Sequence, residues 1–179
     1  SCPAEAVAIA VTYAMRPEAA VAELVGRLTE ADASFVLLFV PHRMDRAGLA
    51  AALARQMPST AVFGCTTAGQ ITPQGYDSDG MIALAFRRAH FRVATTLIKP
   101  LAPVRIAEVV NQTERLAARF PATAGRRRLA LIFADGLSKQ EDILVAAVEA
   151  GLKDIPVFGG SADAGLDFAE PHVLHNGAF

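Results

Sequence analysis

One pattern, carried twice, constrains this chain more than any other feature. Val62 to Gly69 reads VFGCTTAG, and Val157 to Gly165 reads VFGGSADAG. Each follows an apolar run, meets Phe-Gly, and continues through small residues. Glycine tolerates positive φ and close backbone approach. The pattern therefore predicts two strands that stop at Phe-Gly and turn there. The surroundings match too. SFVLLFV, a loop, LAAALARQMPST and AVFG run in the same order as RLALIFA, a loop, ILVAAVEAGLKDI and PVFGG. The distances from Phe39 to Gly64 and from Phe133 to Gly159 differ by one residue.

Continuous apolar runs such as Phe35 to Val40 suit strands covered on both faces. Ala20, Val21, Leu24, Val25 and Leu28 recur at helical spacing behind Pro17, which suits a first helical turn. Asp45 is placed as an N-cap ahead of Leu49 and Leu53. A further helix is expected from about Val104 to Phe120, and Ile71 to Asp79 reads as a loop by its Pro, Gly and Asp content. GMIALAF and HFRVATTLI read as a hairpin across Arg87 and Arg88. The expected architecture is α/β: duplicated β-α-β-α-β-β units, about 7–86 and 91–179, forming a mixed-sheet sandwich with helices packed outside. The second copy ends at Phe179, at the start of its last strand, so the chain is expected to be part of a longer protein.

Composition narrows the function classes. A chain of 179 residues that is 53% hydrophobic and 20% charged builds a core and is not disordered. A formal net charge of −1 argues against general binding to a nucleic-acid backbone. The clusters at Arg87 to Arg92 and Arg126 to Arg128 read as solvated strand entries and loops. No apolar run reaches the roughly 18 residues of a membrane span. Two cysteines, Cys2 and Cys65, with Cys2 near the terminus, give no structural disulfide and fit a reducing compartment, so the cytoplasm is the expected location.

The motifs resemble a known family. VFGCTTAGQI resembles the GCSTAGEI signature of the FIST N-terminal domain. IPVFGGSADAG, preceded by LIFADGL, resembles that family's DGL…IPVFGGSAGD. Gln70 stands where the family usually has Glu, and Asp163-Ala164 where it usually has Gly-Asp. The resemblance implies a bacterial intracellular sensory domain for small molecules, amino acids among them. It also implies a FIST C-terminal domain as partner. FVPHRMDRAGLAAALARQMP is similar to a proteobacterial subset described as haem-binding nitric-oxide sensors, which modulate histidine kinases or cyclic-di-GMP enzymes.

The candidate ligand-binding residues are Gly64, Cys65, Thr66, Thr67, Asp135, Gly160, Ser161 and Asp163. In open α/β sheets ligands collect beyond the carboxyl ends of strands, and two related turns would build one pocket. Thr66, Thr67 and Ser161 would donate to a ligand carboxylate, and Asp135 and Asp163 would receive an ammonium. His42, just past an apolar strand, is the candidate axial ligand for haem. Covalent haem is excluded because no C-x-x-C-H motif exists. The rival reading is an enzyme with Cys65 as nucleophile on the first turn. It lacks a spacing that identifies a base, and buried Cys is more often a small hydrophobe.

Overall fold

The computed structural model describes residues 6–72, 75–162 and 170–179. Among the described residues the chain is α/β, with a mixed sheet and four α-helices. It divides into two compact units, Ser1–Val93 with Ala162–Phe179, and Ala94–Ser161. This division differs from the expected repeat boundary, because the last stretch of the chain returns to the first unit.

The first unit holds a five-stranded sheet. Its strands are β1 (Val7–Thr12), β2 (Ala33–Pro41), β3 (Ala61–Thr67), β6 (Met81–Arg87) and β9 (Val173–His175), in the order β1-β6-β2-β3-β9. β2 and β3 are parallel, with Leu38 opposite Gly64 and Phe39 opposite Cys65. The β1–β6, β2–β6 and β3–β9 pairs are antiparallel. Helices α1 (Pro17–Leu28) and α2 (Arg46–Gln56) join the strands. Pro17 opens α1 as expected, and Asp45 caps α2 by accepting the Gly48 N–H at 3.1 Å. The core gathers Val21, Leu24 and Leu28 of α1, Leu49 and Leu53 of α2, and Val36, Leu38 and Val40 of β2. Leu24, Leu38 and Leu49 are almost fully buried, and each stabilises the fold by roughly 1.5–3 kcal/mol. The alternate residues of the same strands are apolar as well. Phe35 stacks on Phe86 at 4.4 Å between ring centroids, and Phe91 meets Phe86 edge-on at 5.0 Å.

The second unit is built from α3 (Ile106–Ala118), β7 (Ala130–Asp135), α4 (Glu141–Leu152) and β8 (Val157–Ala162). β7 pairs with β8. Leu144, Ala147, Val148 and Leu152 of α4 pack with Val109 of α3 and with Ala130, Ile132 and Ala134 of β7.

Three expectations change. Residues 91–105 carry no strand or helix, so the hairpin expected after β6 is absent. β6 is held by β1 on one edge and β2 on the other, which leaves no free edge for a hairpin partner. The expected loop at Ile71 to Asp79 contains a small hairpin, β4 (Gln70–Thr72) with β5 (Gly75–Asp77). Finally, the strands do not stop at Phe-Gly. β3 runs on to Thr67 and β8 to Ala162.

The two halves do share a geometry at this point. Gly64 has φ +149° and sits so close to β2 that a Cβ would strike the Leu38 carbonyl oxygen. Gly159 has φ +156°, and a Cβ there would strike the Ile132 carbonyl oxygen. In both halves the glycine allows two backbones to approach within one strand pair.

Candidate functional site

In the first unit the candidates lie within β3 rather than beyond it. Cys65 pairs with Phe39 on one side and Val173 on the other. Its backbone is therefore part of the ladder on both edges. The thiol is buried, and burial pushes its pKa up to about 11. An activated cysteine shows the opposite shift. Thr66 is equally enclosed. Its N–H donates to the His172 carbonyl at 2.9 Å, and its hydroxyl oxygen accepts the His172 N–H at 2.9 Å. Thr66 thus holds the entry to β9 against β3. The Thr67 hydroxyl donates to Gln70 Oε1 at 2.6 Å, while Gln70 Nε2 donates to the Gly80 carbonyl. Gln70 is buried, so this chain of bonds ties the end of β3 to the start of β6. His42 lies in the turn after β2 and is half-buried.

In the second unit the carboxyl ends of β7 and β8 face the start of α4. Asp135 ends β7. Its Oδ1 accepts the Leu137 N–H at 2.8 Å and its carbonyl accepts the Ser138 N–H at 3.2 Å, which turns the chain toward the helix. α4 then opens on Glu141 and Asp142, beyond Gln140, whose side chain caps nothing. Acidic residues there complement the positive end of the helix dipole.

A cleft of about 250 Å³ lies between these elements. Ile132, Ala134, Leu144 and Val157 give it apolar walls. Glu141 and Ser161 stand in it with the backbone of Gly159 and Gly160. The Ser161 hydroxyl donates to Glu141 Oε1 at 3.4 Å. Gly160 lends the cleft its backbone; a Cβ there would lie on the strand face opposite the Ser161 side chain, where it meets no heavy atom within 4 Å. A second hollow, about 400 Å³, runs along α3 and α4 past Ile106, Ile143 and Ala146. It is almost entirely apolar, with Asp142 as its one charged group.

The structure thus brings Gly160 and Ser161 into one cleft. Asp135 turns the chain nearby and does not line it. Gly64, Cys65, Thr66 and Thr67 belong to the first unit, and Asp163 lies outside the described residues. Glu141 was not singled out from the sequence. Its signal was present: Ser138 and Glu141 are three apart ahead of an apolar run, the spacing that marks a helix start. Among the described residues no group of three or more His, Cys, Asp or Glu is placed to hold a metal ion, and no helix is long and apolar enough to cross a membrane.

The family model of the FIST N domain matches residues 34–179, which takes in the second unit, the first unit from β2 onward, and every candidate residue. No curated protein and no solved structure matches the chain. With a match over most of its length, the chain belongs to the FIST N domain family, whose members are small-ligand sensory domains of signalling proteins.

Proposed function

We propose that this chain is the sensing module of a bacterial signalling protein in the cytoplasm, and that its ligand occupies the β7–β8 cleft beside α4. The observation that carries this reading is the cleft itself. It combines hydrocarbon walls with a carboxylate and a hydroxyl at the carboxyl ends of two strands, where ligands of open α/β sheets collect. Occupancy is relayed to a FIST C-terminal domain and, through it, to a histidine kinase or a cyclic-di-GMP enzyme. The chain's own role is binding, not catalysis. Cys65, the nucleophile of the rival reading, is buried with a raised pKa.

Ser161→Leu tests the site, because the Ser161 side chain already reaches Glu141 in the cleft and a leucine in its place fills it. A small-molecule panel is screened by thermal shift against the parent and this variant. Compounds that stabilise the parent are expected to lose their effect in Ser161→Leu. Equal stabilisation of both proteins would move the site elsewhere.

Haem is the sharper form of this reading, and the residues of the two clefts do not fit it. Neither lining contains a His, Cys or Met to reach an iron. The haem and nitric-oxide version therefore rests on His42 in the first unit. It is tested by titrating haem into the protein and following the Soret band with and without nitric oxide. Uptake that His42→Ala abolishes would support it, and uptake that survives this change would remove His42 as the ligand.

A further inference from the structure

We propose that the β7–β8 cleft selects an aliphatic primary amine that carries no carboxylate of its own. The inference rests on the cleft being the ligand site and concerns only which head group it accepts.

Among the described residues Glu141 supplies the one charged group in the lining, and Ser161 the one hydroxyl. Their mutual hydrogen bond is 3.4 Å long, well beyond the usual 2.7–2.8 Å or so for an O–H···O bond. A carboxylate offers about four acceptor positions, so one long bond leaves Glu141 free to accept more. An ammonium brings three donors and no acceptor. It donates to the Glu141 carboxylate and to the Ser161 hydroxyl oxygen, while that hydroxyl keeps donating to Glu141. Glu141 is half-buried, which makes such a pair stronger than one in open water.

A zwitterionic amino acid needs a second partner, a cation for its carboxylate. Among the described residues the lining contains no Lys, Arg or His, and its hydroxyl is already turned to Glu141. Lys139 is close in sequence but does not line the cleft. The start of α4 would attract an anion on its own. Its first turn already carries Glu141 and Asp142, and a ligand carboxylate would enter against two like charges. The tail is set by Ile132, Leu144 and Val157 and by a volume of about 250 Å³. That is below the roughly 300–1,000 Å³ of sites for drug-sized molecules, and it suits a short branched hydrocarbon.

The test compares 3-methylbutylamine with L-leucine, which share a tail and differ in the carboxylate. Each is titrated into the ¹⁵N-labelled chain while the amide signals of Gly159, Gly160 and Ser161 are followed. The amine is expected to shift these signals with a Kd at least tenfold below that of leucine, and Glu141→Gln is expected to weaken the amine at least tenfold. Leucine binding at the same amides as tightly as the amine would overturn the head-group assignment and leave the cleft as the site. An amine Kd unchanged by Glu141→Gln would overturn it as well. If neither compound moves these amides, the cleft itself is not the site of either class.

Discussion

Replacing Gly64 by alanine probes the backbone approach that both halves share. Two costs add. A φ of +149° is one that residues with a Cβ rarely adopt, and holding a non-glycine residue in such a region costs about 1–3 kcal/mol. The new Cβ also overlaps the Leu38 carbonyl oxygen, so β2 and β3 must separate in the middle of their parallel ladder. Overpacking of this kind costs about 1–3 kcal/mol. A loss of about 2–6 kcal/mol is expected, a large part of the roughly 5–15 kcal/mol that holds a domain folded. Gly26 supplies the control in the same unit. It lies exposed within α1, with nothing within 4 Å of an added Cβ. Gly26→Ala is expected to stabilise by about 0.5–1 kcal/mol, because alanine is the better helix former. The assay is urea unfolding followed by far-UV circular dichroism, since the chain has no Trp and two Tyr to report by fluorescence. A Gly64→Ala variant within about 1 kcal/mol of the parent would refute the reasoning. So would a Gly26→Ala variant destabilised as much as Gly64→Ala.

Cys65 gives stability a pH dependence. The unfolded thiol ionises near 9.0 and the folded thiol keeps its proton to about 11. Unfolding thus releases a proton between these values. The contribution is complete below pH 9, falls through the window up to about 11, and amounts to on the order of 3 kcal/mol. Urea unfolding of the parent and of Cys65→Val at pH 8 and pH 11 measures it; a fall of the same size in both proteins would exclude Cys65 as the source. Gln70→Glu sets a carboxylate oxygen against the Gly80 carbonyl in place of the donating Nε2. A loss of about 1–3 kcal/mol is expected at pH 7, partly recovered near pH 4.5 where a protonated carboxyl again donates. A loss that is the same at both pH values would contradict this account. Thr66→Val removes the acceptor for the His172 N–H. It is expected to cost about 1–3 kcal/mol and to speed hydrogen exchange at Val173, Leu174 and His175, whereas unchanged exchange there would mean that Thr66 does not hold β9.

The helices and most strands were legible in the residues because their signals are local. Phe35 to Val40 and Arg128 to Ala134 read as apolar strands, and strands formed there over Ala33–Pro41 and Ala130–Asp135. Pro17 and Asp45 marked helix starts by their own backbone chemistry. The alternation at Phe91 to Ile98 is also a local signal, and it misled. Whether such a segment pairs depends on a free strand edge, and β6 has both of its edges occupied by strands distant in sequence. The Phe-Gly motif was read as a turn for the same reason. Glycine allows a turn and allows close approach equally, and only the presence of Leu38 and Ile132 across the ladder decides for approach.

The candidate site divides along the same line. Gly160 and Ser161 were readable because small residues at a strand end are a property of the chain. Glu141 became a candidate only when the fold set it beside Ser161, twenty positions later. The sequence by itself determined the family, the α/β class, the positions of the helices and the apolar strands, and the two glycines on which the strand pairs depend. Tertiary structure alone decided that Cys65 is enclosed, that Thr66 serves β9, and that a carboxylate stands in the cleft. Burial, ladder pairing and the approach of distant side chains are relations between segments, and no single stretch of the chain contains them.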